Sequence, residues 1–238
     1  MENLKCVGLQ FSMFFDPYPE IRTQSNEIEK LLKETFSDGL VTLPNPGPVA
    51  PNEIPRVLGN SHDGMYQIAI SNVNASFSKV KSTPDEKIED ILKDFKIKLD
   101  SVYDAIINVL PDKKVTICGI TLLINVTDKS NVNDFMLERF INKEPLGQMS
   151  KGLEIYDIGT KYTFTQGSKY YINLSFNSVR SSVEGQPELT IQLDINDRYR
   201  FNINKGTDNY SEKNIKDVLY NISKKMIEED IVNLMKGD

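Results

Sequence analysis

One carboxylate stands where a strand ought to be apolar. From Leu189 onward the odd positions read Leu189, Ile191, Leu193, Ile195, Asp197, Tyr199, Phe201 and Ile203, while every even position from Glu188 to Asn204 is polar. That period of two marks a strand with one buried face. A carboxylate on the buried face needs a partner, or it titrates upward. Two readings follow. Either a bulge or sharp bend at Asn196–Asp197 turns the acid to solvent, or Asp197 lines an internal pocket. On the polar side, Arg198 and Arg200 stand two residues apart. Such a pair can grip a carboxylate or phosphate bidentately, or can pair with acids of a neighbouring strand. Tyr171 falls on the polar side of its own strand, where an aromatic can anchor an interface. Tyr162, Phe164, Tyr170 and Phe176 alternate onto the core side.

Other catalytic chemistry finds little material. His62 is the single histidine, and it precedes Asp63-Gly64 in a turn. A Ser-His-Asp or Cys-His arrangement would have to use it. Cys6 and Cys118 show no Cys-x-x-Cys spacing and no nearby His-x-x-x-His, so no metal or cofactor is expected. Phase places Cys118 toward the core and Cys6 away from it. Neither a Walker loop nor Gly-x-Gly-x-x-Gly occurs. Lys93, Lys96 and Lys98 alternate with acids and read as a solvated helix face.

The elements that must carry these residues repeat. Adding 104 to Ile28, Leu31, Leu32 and Phe36 gives Val132, Phe135, Met136 and Phe140. The same step takes Tyr66, Ile68, Ile70 and Ser71 to Tyr170, Ile172, Leu174 and Ser175. An opening strand from Leu4 to Phe15 has a counterpart around Cys118–Val126. Helices start near Ser25 and Ser130, both read as N-caps. Thr83-Pro84-Asp85-Glu86 forms a capping box ahead of a helix with Ile88, Ile91, Leu92, Phe95 and Leu99 on one stripe. Adding 127 to that stripe gives Ile215, Val218, Leu219, Ile222 and Met226. Further strands are expected over Tyr66–Ser71, Val73–Val80, Leu153–Thr165, Lys169–Arg180 and Glu188–Asn204. The expected fold is α+β: an internally duplicated strand–helix–strands–helix unit, with antiparallel curved sheet packed on long helices. Residues 1–110 form the first repeat and 111–238 the second, joined as one integrated unit because the connection at Leu110–Lys113 is short. Pro44, Pro46, Pro48, Pro51 and Pro55 mark an exposed loop found in the first repeat alone.

Composition narrows the function. The 238 residues carry 26% charged residues and a formal net charge of −6, which argues against broad nucleic-acid binding. No apolar run reaches the ~20 residues of a membrane span, and the N-terminus has no signal-peptide pattern. A cytosolic protein with reduced cysteines is expected.

The run Glu53-Ile54-Pro55-Arg56-Val57-Leu58, then Asp63-Gly64, and Leu193-Asp194-Ile195-Asn196 before a final amphipathic helix resembles a sporadically distributed family of uncharacterised bacterial proteins. The resemblance implies a bacterial or phage setting and supplies no catalytic residues. Arg56 of that run joins Asp197, Arg198, Arg200 and Tyr171 as candidate ligand- or partner-binding residues. The expected function is a non-enzymatic interaction protein: an inhibitor, immunity factor or sensor component of a conflict system. Its partner would be another protein, or a second copy in a homodimer. A small-molecule binder with an apolar cavity between sheet and helix is the alternative. A carboxylate-based enzyme without histidine would need perturbed acids gathered in one cleft.

Overall fold

The computed structural model describes residues 4–44, 47, 50–83, 86–126, 131–141, 155–167, 169–180, 185–198 and 210–236. The chain is α+β. Strands β1 (Leu4–Phe14), β2 (Leu40–Thr42), β3 (Val57–Asn60), β4 (Tyr66–Ile70), β5 (Asn74–Lys79), β6 (Ile117–Val126), β7 (Gly159–Gln166), β8 (Tyr170–Arg180) and β9 (Pro187–Asn196) build one sheet. Helix α1 (Ser25–Leu32) follows β1, and α2 (Ile88–Val109) follows β5. Helix α3 (Val132–Phe140) follows β6, and α4 (Ile215–Lys225) follows β9. The last helix runs on through a π-helical turn at Met226–Ile231 into α5 (Val232–Lys236). No described helix is long and apolar enough to cross a membrane.

The strand order is β2-β3-β4-β5-β1-β6-β9-β8-β7, with every pair antiparallel. Strands β1 and β6 lie at the middle, so one sheet joins the two halves of the sequence. Residues directly opposite on paired strands share a face. The series Phe77, Phe11, Ile120, Ile195 and Ile172 therefore lines one side of the sheet, and each of these residues is buried. Helix α2 touches β1 and β5, and α4 touches β6 and β9. The apolar stripe explains the docking of α2. Ile88, Ile91, Leu92, Phe95 and Leu99 are all buried, and Phe95 stacks on Phe77 with centroids 5.0 Å apart. Full burial of one such ring contributes about 2–3 kcal/mol.

Several local expectations change. The register of β1 on β6 jumps between Cys6, opposite Ile124, and Gly8, opposite Leu123. Val7 is the extra residue of a bulge, which reverses the inside–outside phase upstream. Cys6 consequently faces the core and Val7 is exposed. Helix α2 starts at Ile88 rather than at Thr83. Glu86 does reach back to the Thr83 amide, at 3.2 Å, but the helix has not yet begun there. Ser25 is not a cap, because a 3₁₀ turn over Pro19–Gln24 already supplies helical backbone before it. Asn131 caps α3, its side-chain oxygen accepting from the Asp134 amide; Ser130 lies outside the described residues. Strand β7 begins at Gly159, later than expected, and its Tyr162 and Phe164 are 37% and 47% exposed rather than buried in the core.

Candidate functional site

Two clusters of ion-paired residues lie on the helix side of the sheet. In the first, β5 points Ala75, Phe77 and Lys79 inward, so a lysine closes an apolar stripe. The Lys79 side chain is 3% exposed; its ammonium lies 3.0 Å from Glu86 and 5.1 Å from the Tyr66 ring centroid. Tyr66 donates its hydroxyl to Asp94, and Lys98 bonds the same carboxylate. Burial, with Asp94 adding to it, pushes the Tyr66 phenol far up. Burial works against the Asp94 carboxylate, yet Lys98 and Tyr66 outweigh it and hold the acid below its ordinary range. In the second group α2 meets α4. Lys96 lies 2.6 Å from Asp100 and 2.8 Å from Asp217, and Lys216 lies 3.0 Å from both Asp100 and Asp104. Lys96 is thus a bridge between helices, while the alternation of signs had placed it on a solvated face. Here the acids already hold cations, so neither group presents a carboxylate poised for proton transfer. Among the described residues no group of three His, Cys, Asp or Glu could hold a metal ion.

The sequence candidates separate. Strand β9 ends at Asn196 and the chain bends at Asp197, as one reading anticipated. The bend does not expose the acid, which stays 3% exposed. Its Oδ1 accepts from the Cys118 amide at 2.8 Å, and its own amide donates to the Cys118 carbonyl at 3.1 Å. Asp197 therefore locks the end of β9 onto β6. Arg198 is exposed in the following turn; Arg200 lies outside the described residues. Arg56 is 5% exposed and donates to the carbonyls of Ile54, at 2.8 Å, and Pro51, at 3.2 Å. It ties down the proline-rich loop, helped by Asn72 donating to Asn52 at 3.1 Å. His62 is exposed in the β3–β4 turn, 3.1 Å from Asp38.

Tyr171 leads elsewhere. It is opposite Asn196 on the side of the sheet away from the core stripe. On that side, one residue from every strand except β2 falls into a single transverse row: Asn60, Gln67, Ser78, Gln10, Thr121, Asp194, Asn173 and Thr163. An adjacent row carries Leu58, Ala69, Ser76, Ser12, Gly119, Asn196, Tyr171 and Thr165. Most of these side chains are polar, and Asp194 is the one charged member of the two rows. Asp194 is the hub: Asn173 donates to it at 3.0 Å, Asn196 at 3.3 Å and Thr121 at 3.4 Å. Thr163 in turn donates to Asn173 at 2.9 Å. A hollow of about 280 Å³ opens on this side, lined in part by Asn60, Gln67, Ala69, Ser76 and Ser78. A second, of about 250 Å³, lies beside Cys6 and Glu86. The signal for the polar face was present in the sequence as the polar members of each alternating strand. What sequence could not give was register, which aligns them across the sheet.

No known protein family matches the chain, and neither the curated proteins nor the solved structures include a significantly similar one.

Proposed function

We propose that the chain is a non-enzymatic binding protein that engages a protein partner through the polar face of its sheet. The single observation that carries this reading is the transverse row from Asn60 to Thr163. It offers hydrogen-bond donors and acceptors from strand to strand at ~4.8 Å spacing, on a rigid support backed by the core. Asp194 is the only charge in that row, which suits a neutral polar protein surface and disfavours a phosphate-rich ligand. The two ionisable clusters on the other side are already ion-paired, which supports a packing role for them. A small ligand in the hollow beside Ser76 and Ser78 is the second reading, favoured only by that hollow's position on the same face.

The architecture supports a common origin for the two halves. Strands β1, β5, β4 and β3 occupy the places on one side that β6, β9, β8 and β7 occupy on the other. Ile28 and Leu32 are buried in α1, as Val132 and Met136 are in α3.

The test compares affinity capture from the source organism's lysate by three baits: the native chain, Gln10→Arg/Thr121→Arg on the polar face, and Lys93→Ala on the exposed side of α2. A protein held by the native chain and by Lys93→Ala but lost by the double variant supports the reading. Identical captures by all three, or none, would overturn it.

A further inference from the structure

The two ends of the sheet are built differently. Strand β2 is three residues long and leads into Pro44, Pro46, Pro48, Pro51 and Pro55. A short strand and prolines are the usual means of blunting an edge against unwanted pairing. Strand β7 is longer and holds no proline. It runs for eight residues, Gly-Thr-Lys-Tyr-Thr-Phe-Thr-Gln, exposed along nearly its whole length. Among the described residues it pairs with β8 alone. Thr160, Tyr162, Thr163, Phe164 and Thr165 all favour strand; Lys161 is the one charge and no proline interrupts the run. Tyr162 and Phe164 stack on each other with centroids 6.3 Å apart, half out in solvent on the helix side.

We infer that β7 pairs with β7 of a second copy of this chain, extending the sheet across a two-fold axis centred on Thr163. Geometry limits the register, and side-chain pairing selects within it. A two-fold axis normal to the sheet keeps every side chain on its own face, so each residue can oppose only itself or a residue an even number of places away. Centring on Lys161 would set two like charges together, which destabilises a pair. Centring on Thr163 sets Tyr162 of each copy opposite Phe164 of the other, and Lys161 opposite Thr165. Both exposed aromatics then gain a cross-strand aromatic partner, among the most favourable pairings in sheets. Such an interface uses the same edge of both copies, and the remaining ends are the blunted β2 edges. Assembly therefore closes at two rather than growing into a fibre.

The test uses the full chain in sedimentation velocity from about 1 to 100 µM. The expected species has twice the 27.1 kDa chain mass. Phe164→Glu should weaken dimerisation at least about tenfold, with an unchanged far-ultraviolet circular dichroism spectrum to show that the fold persists. Tyr162→Lys/Phe164→Glu sets opposite charges across the axis and should recover most of the loss. Under mild oxidation Thr163→Cys should form a disulfide-linked dimer, while Lys161→Cys should not. A monomeric native chain, whose β7 edge would then belong to a strand of another protein or remain open, overturns the inference. So does a dimer indifferent to Phe164→Glu, or Thr163→Cys that links no faster than Lys161→Cys.

Discussion

Glu86→Gln tests whether the charge buried at the end of β5 is held by its partner. The Lys79 side chain is 3% exposed and Glu86, at 3.0 Å, is 21% exposed. Glutamine keeps the volume and one acceptor for the Thr83 amide, so the change isolates the charge. Removing one member of a buried pair costs about 3–5 kcal/mol, because the other is stranded away from water. Lys79 keeps the Tyr66 ring 5.1 Å away, and a cation over a ring retains about 1–2 kcal/mol of attraction. The expected loss is therefore about 3 kcal/mol, or roughly 6–12 °C in Tm for a chain of this size. Urea unfolding at pH 7, followed by circular dichroism with a shared m value, measures it. Lys79→Met/Glu86→Gln should recover most of that stability, since an apolar pair of similar volume can replace a buried ion pair without loss. If Glu86→Gln lies within about 0.5 kcal/mol of the native chain, or the double variant is no better than the single one, the reasoning fails.

Other outcomes follow from single contacts. Asp197→Ala removes the carboxylate that accepts from the buried Cys118 amide and should cost about 1–3 kcal/mol in urea unfolding, whereas Asp197→Asn, which keeps an acceptor, should cost less; equal losses would remove the hydrogen bond as the cause. Asp100 is held below its ordinary range by Lys96 and Lys216 against the opposing effect of burial. Its contribution is thus present above the unfolded carboxyl value and lost as pH falls through the folded one, so Asp100→Asn should flatten the acid limb of stability below about pH 4. Gly59→Ala places a methyl group against Leu40, 3.0 Å from Ile68 and 3.3 Å from Phe36; overpacking should cost about 1–3 kcal/mol, read as a lower urea midpoint. Burial raises the Cys6 thiol to about 11, so at pH 8 an aromatic disulfide reagent should react slowly with the native chain and with both cysteines at once in denaturant; rapid native labelling would contradict the bulge that turns Cys6 inward.

Periodicity determined most of the elements. The stripe Ile88–Leu99 and the alternations around Cys118–Val126 and Leu189–Ile195 became α2, β6 and β9 because burial on one face imposes those spacings whatever the neighbours are. The bend at Asn196–Asp197 was also legible, as the point where apolar alternation breaks. Tertiary structure decided what a local pattern cannot contain. Val7 became a bulge where β1 runs past its pairing with β5, which starts at Leu9, and continues on β6 alone, and that reversed the side on which Cys6 lies. Lys96 became a bridge between helices because Asp217, distant in sequence, arrives beside it on folding, while Lys79 is closed in by Glu86 seven residues on. Above all, the row that joins Asn60 to Thr163 depends on which strands lie side by side and in which register. Those are long-range choices, settled by how the apolar faces pack, and no window of sequence short enough to show periodicity spans them.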